Sequence, residues 1–133
     1  MDKVIIDTSA WIDSFRPKAD KSFGLLVKDL ILNNRVLMPA IIKTELLRGT
    51  KTKSEFNRLS DLLKGIPYLT VAEDFWDNLS EFSFQLFRKG ISAPLTDTYI
   101  ALLCIENKVS LLHHDKHFEL IARKTPLKIL NHN

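Results

Sequence analysis

The chain has 133 residues, 45% hydrophobic and 26% charged, with four glycines and five prolines; this fits one globular domain over 1–133 and excludes a low-complexity or disordered chain. The single cysteine, Cys104, excludes an internal disulfide. No apolar run reaches membrane-spanning length and no signal-type stretch precedes Asp7, so a cytoplasmic protein without membrane contact is expected. The net charge of +3 admits a polyanionic partner without requiring one.

In chain order, Lys3 to Ile6 is short, continuous and β-branched, the pattern of a strand buried on both faces. Thr8 and Ser9 lead into a first helix whose Trp11 and Phe15 suit either core or dimer surface. Ser22 to Leu32 carries Phe23, Leu26, Val27, Leu30 and Ile31 at helical spacing. Val36 to Met38 reads as a second strand. Pro39 at a first helical position and Gly49 past the end frame the next helix. Phe56, Leu59, Leu62 and Leu63 mark another, and Tyr68 to Val71 a third strand.

Glu73 to Lys89 places Phe75, Trp76, Leu79, Phe82, Leu86 and Phe87 in one stripe expected to be core, with Arg88, Lys89 and Gly90 closing the helix. Asp97 to Glu106 is apolar almost all round and reads as a buried helix. Ser110 to Leu112 and Leu127 to Leu130 complete the strands, with a short helix from Asp115 to Arg123 between them. Alternating strands and helices imply an α/β domain with a parallel sheet of about five short strands, whose chemistry lies beyond the strands' carboxyl ends.

Four acids stand where acids are uncommon. Asp7 and Asp115 each follow an apolar strand, although each also suits a helix N-cap. Glu45 falls between Ile41 and Ile42 on the helical wheel and interrupts the face that should meet the core. Asp97 opens the most apolar helix, where an acid is also at home at a helix N-terminus. If the four converge, each pair repels by about 4 kcal/mol at ~4 Å and an effective dielectric near 20. Such a cluster protonates in part or binds a cation, and oxygen-only ligands suit Mg²⁺ or Mn²⁺ rather than zinc.

The blocks Val4 to Asp13, Ile42 to Gly49, Leu95 to Ala101 and Leu111 to Phe118, in this order, resemble a PIN-domain nuclease, and within that group the VapC-type toxins of toxin–antitoxin pairs. The first block, an apolar strand running into Asp7-Thr8-Ser9, carries the most specific signal. The resemblance implies a parallel sheet sandwiched by helices, with Mg²⁺ or Mn²⁺ held by Asp7, Asp97 and Asp115 and with Glu45 completing the catalytic pocket. It also implies endonucleolytic cleavage of RNA by metal-activated water, a homodimer, and a cognate antitoxin that blocks the site. One departure is His113, where the family usually has Thr or Ser, so the hydroxyl hydrogen bond expected there is missing.

Other assignments compete. A phosphatase-like hydrolase would use Asp as a covalent nucleophile, but Asp7-Thr8-Ser9 lacks the second Asp two residues on that such enzymes show. A non-catalytic RNA- or protein-binding domain of the same fold is opposed by the presence of all four acids. Arg16, Lys18, Lys21, Arg48, Lys51 and Lys53 are candidate phosphate contacts that also suit a solvated surface. His113, His114 and His117 could suggest a transition-metal site, but they border a strand end and no second His or Cys group has metal-ligand spacing, which favours a structural role.

Overall fold

The computed structural model describes residues 2–16 and 21–131, with Lys21 described by its backbone alone. Lys18 and the Lys21 side chain, two of the candidate phosphate contacts, lie outside the described residues. The elements run β1 (Val4–Ile6), α1 (Thr8–Phe15), α2 (Lys21–Leu32), β2 (Val36–Pro39), α3 (Ala40–Arg48), α4 (Lys53–Leu63), β3 (Tyr68–Leu69), α5 (Phe75–Arg88), α6 (Leu95–Asn107), β4 (Ser110–Leu112) and α7 (Lys116–Ala122).

The sheet is parallel throughout, in the order β3-β2-β1-β4. Side chains of a strand point alternately to opposite faces, yet Val4, Ile5 and Ile6 are 0%, 0% and 1% exposed. Both faces of β1 are therefore covered, as the β-branched run requires. α1 packs with α2 and α3, while α6 packs with α5, α7 and β4. Ile100, Ala101, Leu102, Leu103 and Cys104 of α6 are all buried, as its unbroken apolarity demands.

Three expectations are revised. Leu127 to Leu130 does not form a full fifth strand: it meets β4 through one parallel bridge, Leu111 with Ile129, held by hydrogen bonds of 2.9 Å and 2.8 Å. Two bonds extend the sheet without building a ladder. Pro39 ends β2, opposite Leu69, and caps α3 instead of opening it. The α5 stripe is narrower than its aromatics suggest: Phe75, Leu79 and Leu86 are buried, whereas Trp76 and Phe87 are 55% and 73% exposed. Trp76 instead leans on Tyr99, ring centroids 5.6 Å apart. Gly90 closes α5 as expected, with φ +82 and Ile91 N–H returning to Leu86 O at 2.9 Å.

Parallel register decides where the acids go. Ile6 pairs with Leu112, so β1 and β4 end side by side. Asp7 N–H continues that ladder, donating to Leu112 O at 2.9 Å. β2 points the same way and runs straight into α3. Three chain segments thus deliver their next residues to one end of the sheet.

Candidate metal centre at the carboxyl ends of β1 and β4

Asp7 is 6% exposed and caps α1. Its Oδ2 accepts from Ser9 N–H at 3.0 Å and from the Ser9 hydroxyl at 2.6 Å. Ser9 Oγ in turn accepts from His114 N–H at 3.0 Å, tying the end of β1 to the loop after β4. The turn role and the site role of Asp7 are therefore compatible: one carboxylate oxygen caps the helix, leaving Oδ1 for other work.

Glu45 sits at the edge of the α3 core face, half-buried beside the buried Ile42 and Leu46. Its Oε1 accepts from the Thr8 hydroxyl at 2.8 Å. The stripe that Glu45 interrupts thus opens onto a polar site next to Asp7. Among the described residues no lysine or arginine pairs with Asp7, Glu45, Asp97 or Asp115.

Asp97 lies in the first turn of α6 and Asp115 caps α7, its Oδ1 accepting from His117 N–H at 3.0 Å. His117 Nδ1 stands 3.2 Å from Asp97 Oδ2 and 2.9 Å from Asp115 Oδ1. Ligand atoms of Asp97, Asp115 and His117 all fall within 4.8 Å of one another.

The electrostatics bind the four acids into one cluster. The Asp97 carboxyl is pushed from its ordinary 3.8 up to about 6. Burial is the largest cause, followed by the charges of Asp115 and Asp7; His117 opposes the rise and Glu45 adds to it. All three other predicted acids therefore lie close enough to Asp97 to add to the rise that burial begins. The direct ligand-distance group, however, contains Asp97 and Asp115 but not Asp7 or Glu45.

His117 is the member that the sequence offered, with His113 and His114, as a possible metal ligand and that its spacing alone argued against. Its ring joins two acids that are 18 residues apart in the chain, a proximity set by the packing of α6 against α7. The usable signal was its position two residues after a capping acid. His113, by contrast, is occupied structurally: its Nδ1 accepts from Asp115 N–H at 3.1 Å, which leaves Nε2 to donate to Glu119 Oε1 at 3.1 Å. The ring thus gives Asp115's backbone an acceptor at the position where the resemblance leads one to expect a hydroxyl. His114 Nδ1 meets Asp13.

The donor set fits a divalent cation. Two carboxylates, Asp97 and Asp115, stand at ligand spacing with Asp7 and Glu45 near enough to add their charge, and His117 Nδ1 is a buried ring nitrogen with no well-directed hydrogen bond among the described residues. A cation there would relieve the repulsion and give that nitrogen a partner. A groove of about 680 Å³ adjoins the cluster through Asp115, lined by His113, His114, Lys116, Glu119 and Leu130. A second, of about 340 Å³, lies past Glu45 along α3, where Arg48, Lys51 and Lys53 gather around Phe56. Arg16 is held by Asp13 at 3.4 Å.

The PIN domain family model matches residues 4–124. "Ribonuclease VapC11" of Mycobacterium tuberculosis is 28% identical over 129 residues, covering 94% of this chain and 96% of the relative. "VapC ribonuclease Mb1587" of Mycobacterium bovis matches to the same extent. Among solved structures, VapBC2 from Rickettsia felis bound to a DNA fragment from their promoter superposes with a TM-score of 0.78 at 20% identity, over 98% of both chains. VapBC-1 from nontypeable Haemophilus influenzae gives 0.76 at 22% identity, over 96% of both. At these identities the structures speak for the fold, and the family match spans all four acids. The chain belongs to the PIN domain family.

Proposed function

We propose that this chain is a metal-dependent endoribonuclease, the toxin component of a toxin–antitoxin pair, which hydrolyses RNA phosphodiester bonds with water. The observation that carries it is that Asp97, Asp115 and His117 bring ligand atoms within 4.8 Å of one another at the sheet end where Asp7 follows β1 and Thr8 holds Glu45, with the neighbouring acids adding to the burial that raises the Asp97 carboxyl. A structural cluster would offset such repulsion with lysine or arginine; a cation site leaves it open. The names of the similar proteins, VapC ribonuclease and VapBC, support the same assignment. They also support an antitoxin partner. A homodimer, a cytoplasmic setting and an RNA substrate complete the proposal.

Asp7, Asp97 and Asp115 are the residues that would hold Mg²⁺ or Mn²⁺. When bound, the ion supplies charge neutralisation at the phosphodiester and makes water nucleophilic near neutral pH. The chain's own part is to pre-arrange the acids. Ser9 fixes Asp7, Thr8 fixes Glu45, and His113 with His117 N–H fixes Asp115. Glu45 keeps Oε2 available to accept a proton from the water that would attack phosphorus in line as the phosphorus–ribose oxygen bond breaks, the leaving oxygen taking its proton from solvent. Arg48, one turn beyond Glu45 on α3, and the following Lys51 and Lys53 suit the flanking phosphates.

Incubating the purified chain with a structured RNA and either ion tests the proposal. Cleavage that disappears in Asp7→Asn, with an unchanged circular dichroism spectrum, is expected. Full activity of that variant removes Asp7 from the mechanism. Turnover of a generic phosphomonoester in place of RNA would favour a phosphatase.

A further inference from the structure

We infer that His117 supplies a nitrogen ligand to this centre, making it a mixed nitrogen–oxygen site that prefers a first-row transition ion such as Mn²⁺ to Mg²⁺. The inference rests on the metal-dependent function proposed above, and it replaces the oxygen-only donor set that the four acids alone suggest.

Geometry is the first support. Nδ1 lies 3.2 Å from Asp97 Oδ2 and 2.9 Å from Asp115 Oδ1. Adjacent ligand atoms around an octahedral ion with bonds of ~2.1 Å sit about 3 Å apart. The ring nitrogen and the two carboxylate oxygens therefore already stand at the spacing of one coordination sphere.

Direction is the second. Nδ1 is buried, yet neither nearby carboxylate makes a well-aligned hydrogen bond with it. Close approach without alignment is how ligand atoms sit around a shared ion, since each points at the ion and not at its neighbour. The ring is also anchored for this role: His117 N–H donates to Asp115 Oδ1 at 3.0 Å, so one turn of chain presents both the acid and the imidazole. The other two histidines nearby are committed elsewhere, His113 to Asp115 N–H and Glu119, His114 to Asp13.

An imidazole nitrogen changes which ions bind well. Mg²⁺ favours oxygen, while affinity for nitrogen donors rises along the first transition row. The competing role for His117 is a charged imidazolium occupying the cation's place between the two acids. The two roles give opposite signs: removing a ligand weakens metal binding, whereas removing a rival positive charge strengthens it for every divalent ion.

Calorimetric titration of the metal-free, full-length chain with Mn²⁺ and with Mg²⁺, on wild type, His117→Ala and His117→Gln, separates them. Pulsed electron paramagnetic resonance of the Mn²⁺-loaded proteins then reads nitrogen bound directly to the ion. Wild type is expected to favour Mn²⁺ over Mg²⁺ by about tenfold or more and to show nitrogen coupling. Both variants should lose about tenfold in Mn²⁺ affinity, less than about threefold in Mg²⁺ affinity, and the nitrogen signal. The Gln variant keeps side-chain bulk and guards against a folding defect in Ala. Unchanged or tighter Mn²⁺ binding in the variants, or Mn²⁺ bound to wild type without nitrogen coupling, overturns the ligand role while leaving a metal nuclease intact. Failure of wild type to bind either ion overturns the metal-dependent function itself.

Discussion

Thr8 Oγ1 donates a 2.8 Å hydrogen bond to Glu45 Oε1, so the residue next to the first acid aims the second across 37 positions of sequence. Thr8→Val removes that bond at nearly constant volume. RNA cleavage should fall about tenfold, the cost of one lost hydrogen bond to a charged group. Mn²⁺ affinity should move less than about twofold, because Asp97, Asp115 and His117 are untouched. Turnover and calorimetry on the same preparation check both halves. An unchanged turnover number would show that Glu45 needs no such support.

Ser9 makes a different kind of link. Its hydroxyl donates to Asp7 Oδ2 and accepts from His114 N–H, which joins the ends of β1 and β4. Ser9→Ala should lower stability by roughly 1–2 kcal/mol, since both partners lose a bond. At this chain length that is a drop in melting temperature of several degrees. Thermal unfolding in a chelator reads it free of any metal effect.

The raised Asp97 carboxyl makes the metal-free protein less stable at neutral pH. The sign follows from linkage: an acid whose folded value, about 6, lies above its unfolded value of 3.8 binds its proton more tightly in the folded state. The associated stability is present below 3.8 and is lost as pH rises through 6. The loss accrues between those two values and, with solvent screening of a half-buried carboxyl, amounts to at most about 3 kcal/mol at neutral pH. Asp97→Asn, which cannot ionise, should therefore melt several degrees above wild type at pH 7.5 in a chelator. The gap should narrow toward pH 4. A variant that melts lower at pH 7.5 would contradict strong repulsion at this site.

The same proton competes with the metal. In His117→Gln, where no imidazole proton is linked to binding, a cation below pH 6 must still displace the proton from Asp97, so affinity should fall by about tenfold per pH unit once that carboxyl is protonated. Above pH 6.5 this dependence should flatten. Calorimetry at several pH values checks the slope. A flat profile through pH 5 to 7 would mean that Asp97 is not a ligand.

Much of this was legible in the residues because burial leaves a direct mark on composition. The β-branched run before Asp7 announced a strand covered on both faces, and Ser110 to Leu112 forms β4 with the boundaries its apolarity implies. Glu45 stood out because a carboxylate on a core-facing stripe needs a reason. What stayed hidden depends on tertiary packing. His117 meets Asp97 because α6 and α7 pack together, and no local spacing carries that contact. Trp76 and Phe87 misled because aromatic residues are large enough to cover a helix surface while largely exposed. The weak fifth strand is a matter of two hydrogen bonds, below what periodicity can resolve.

Anomalous scattering at the manganese edge, from crystals grown with Mn²⁺, tests most directly whether these side chains share one ion. A single strong peak bonded to Asp97 and Asp115, with Asp7 in contact directly or through one water, is the expected result. No peak at the ends of β1 and β4, or a peak remote from Asp97, would contradict it.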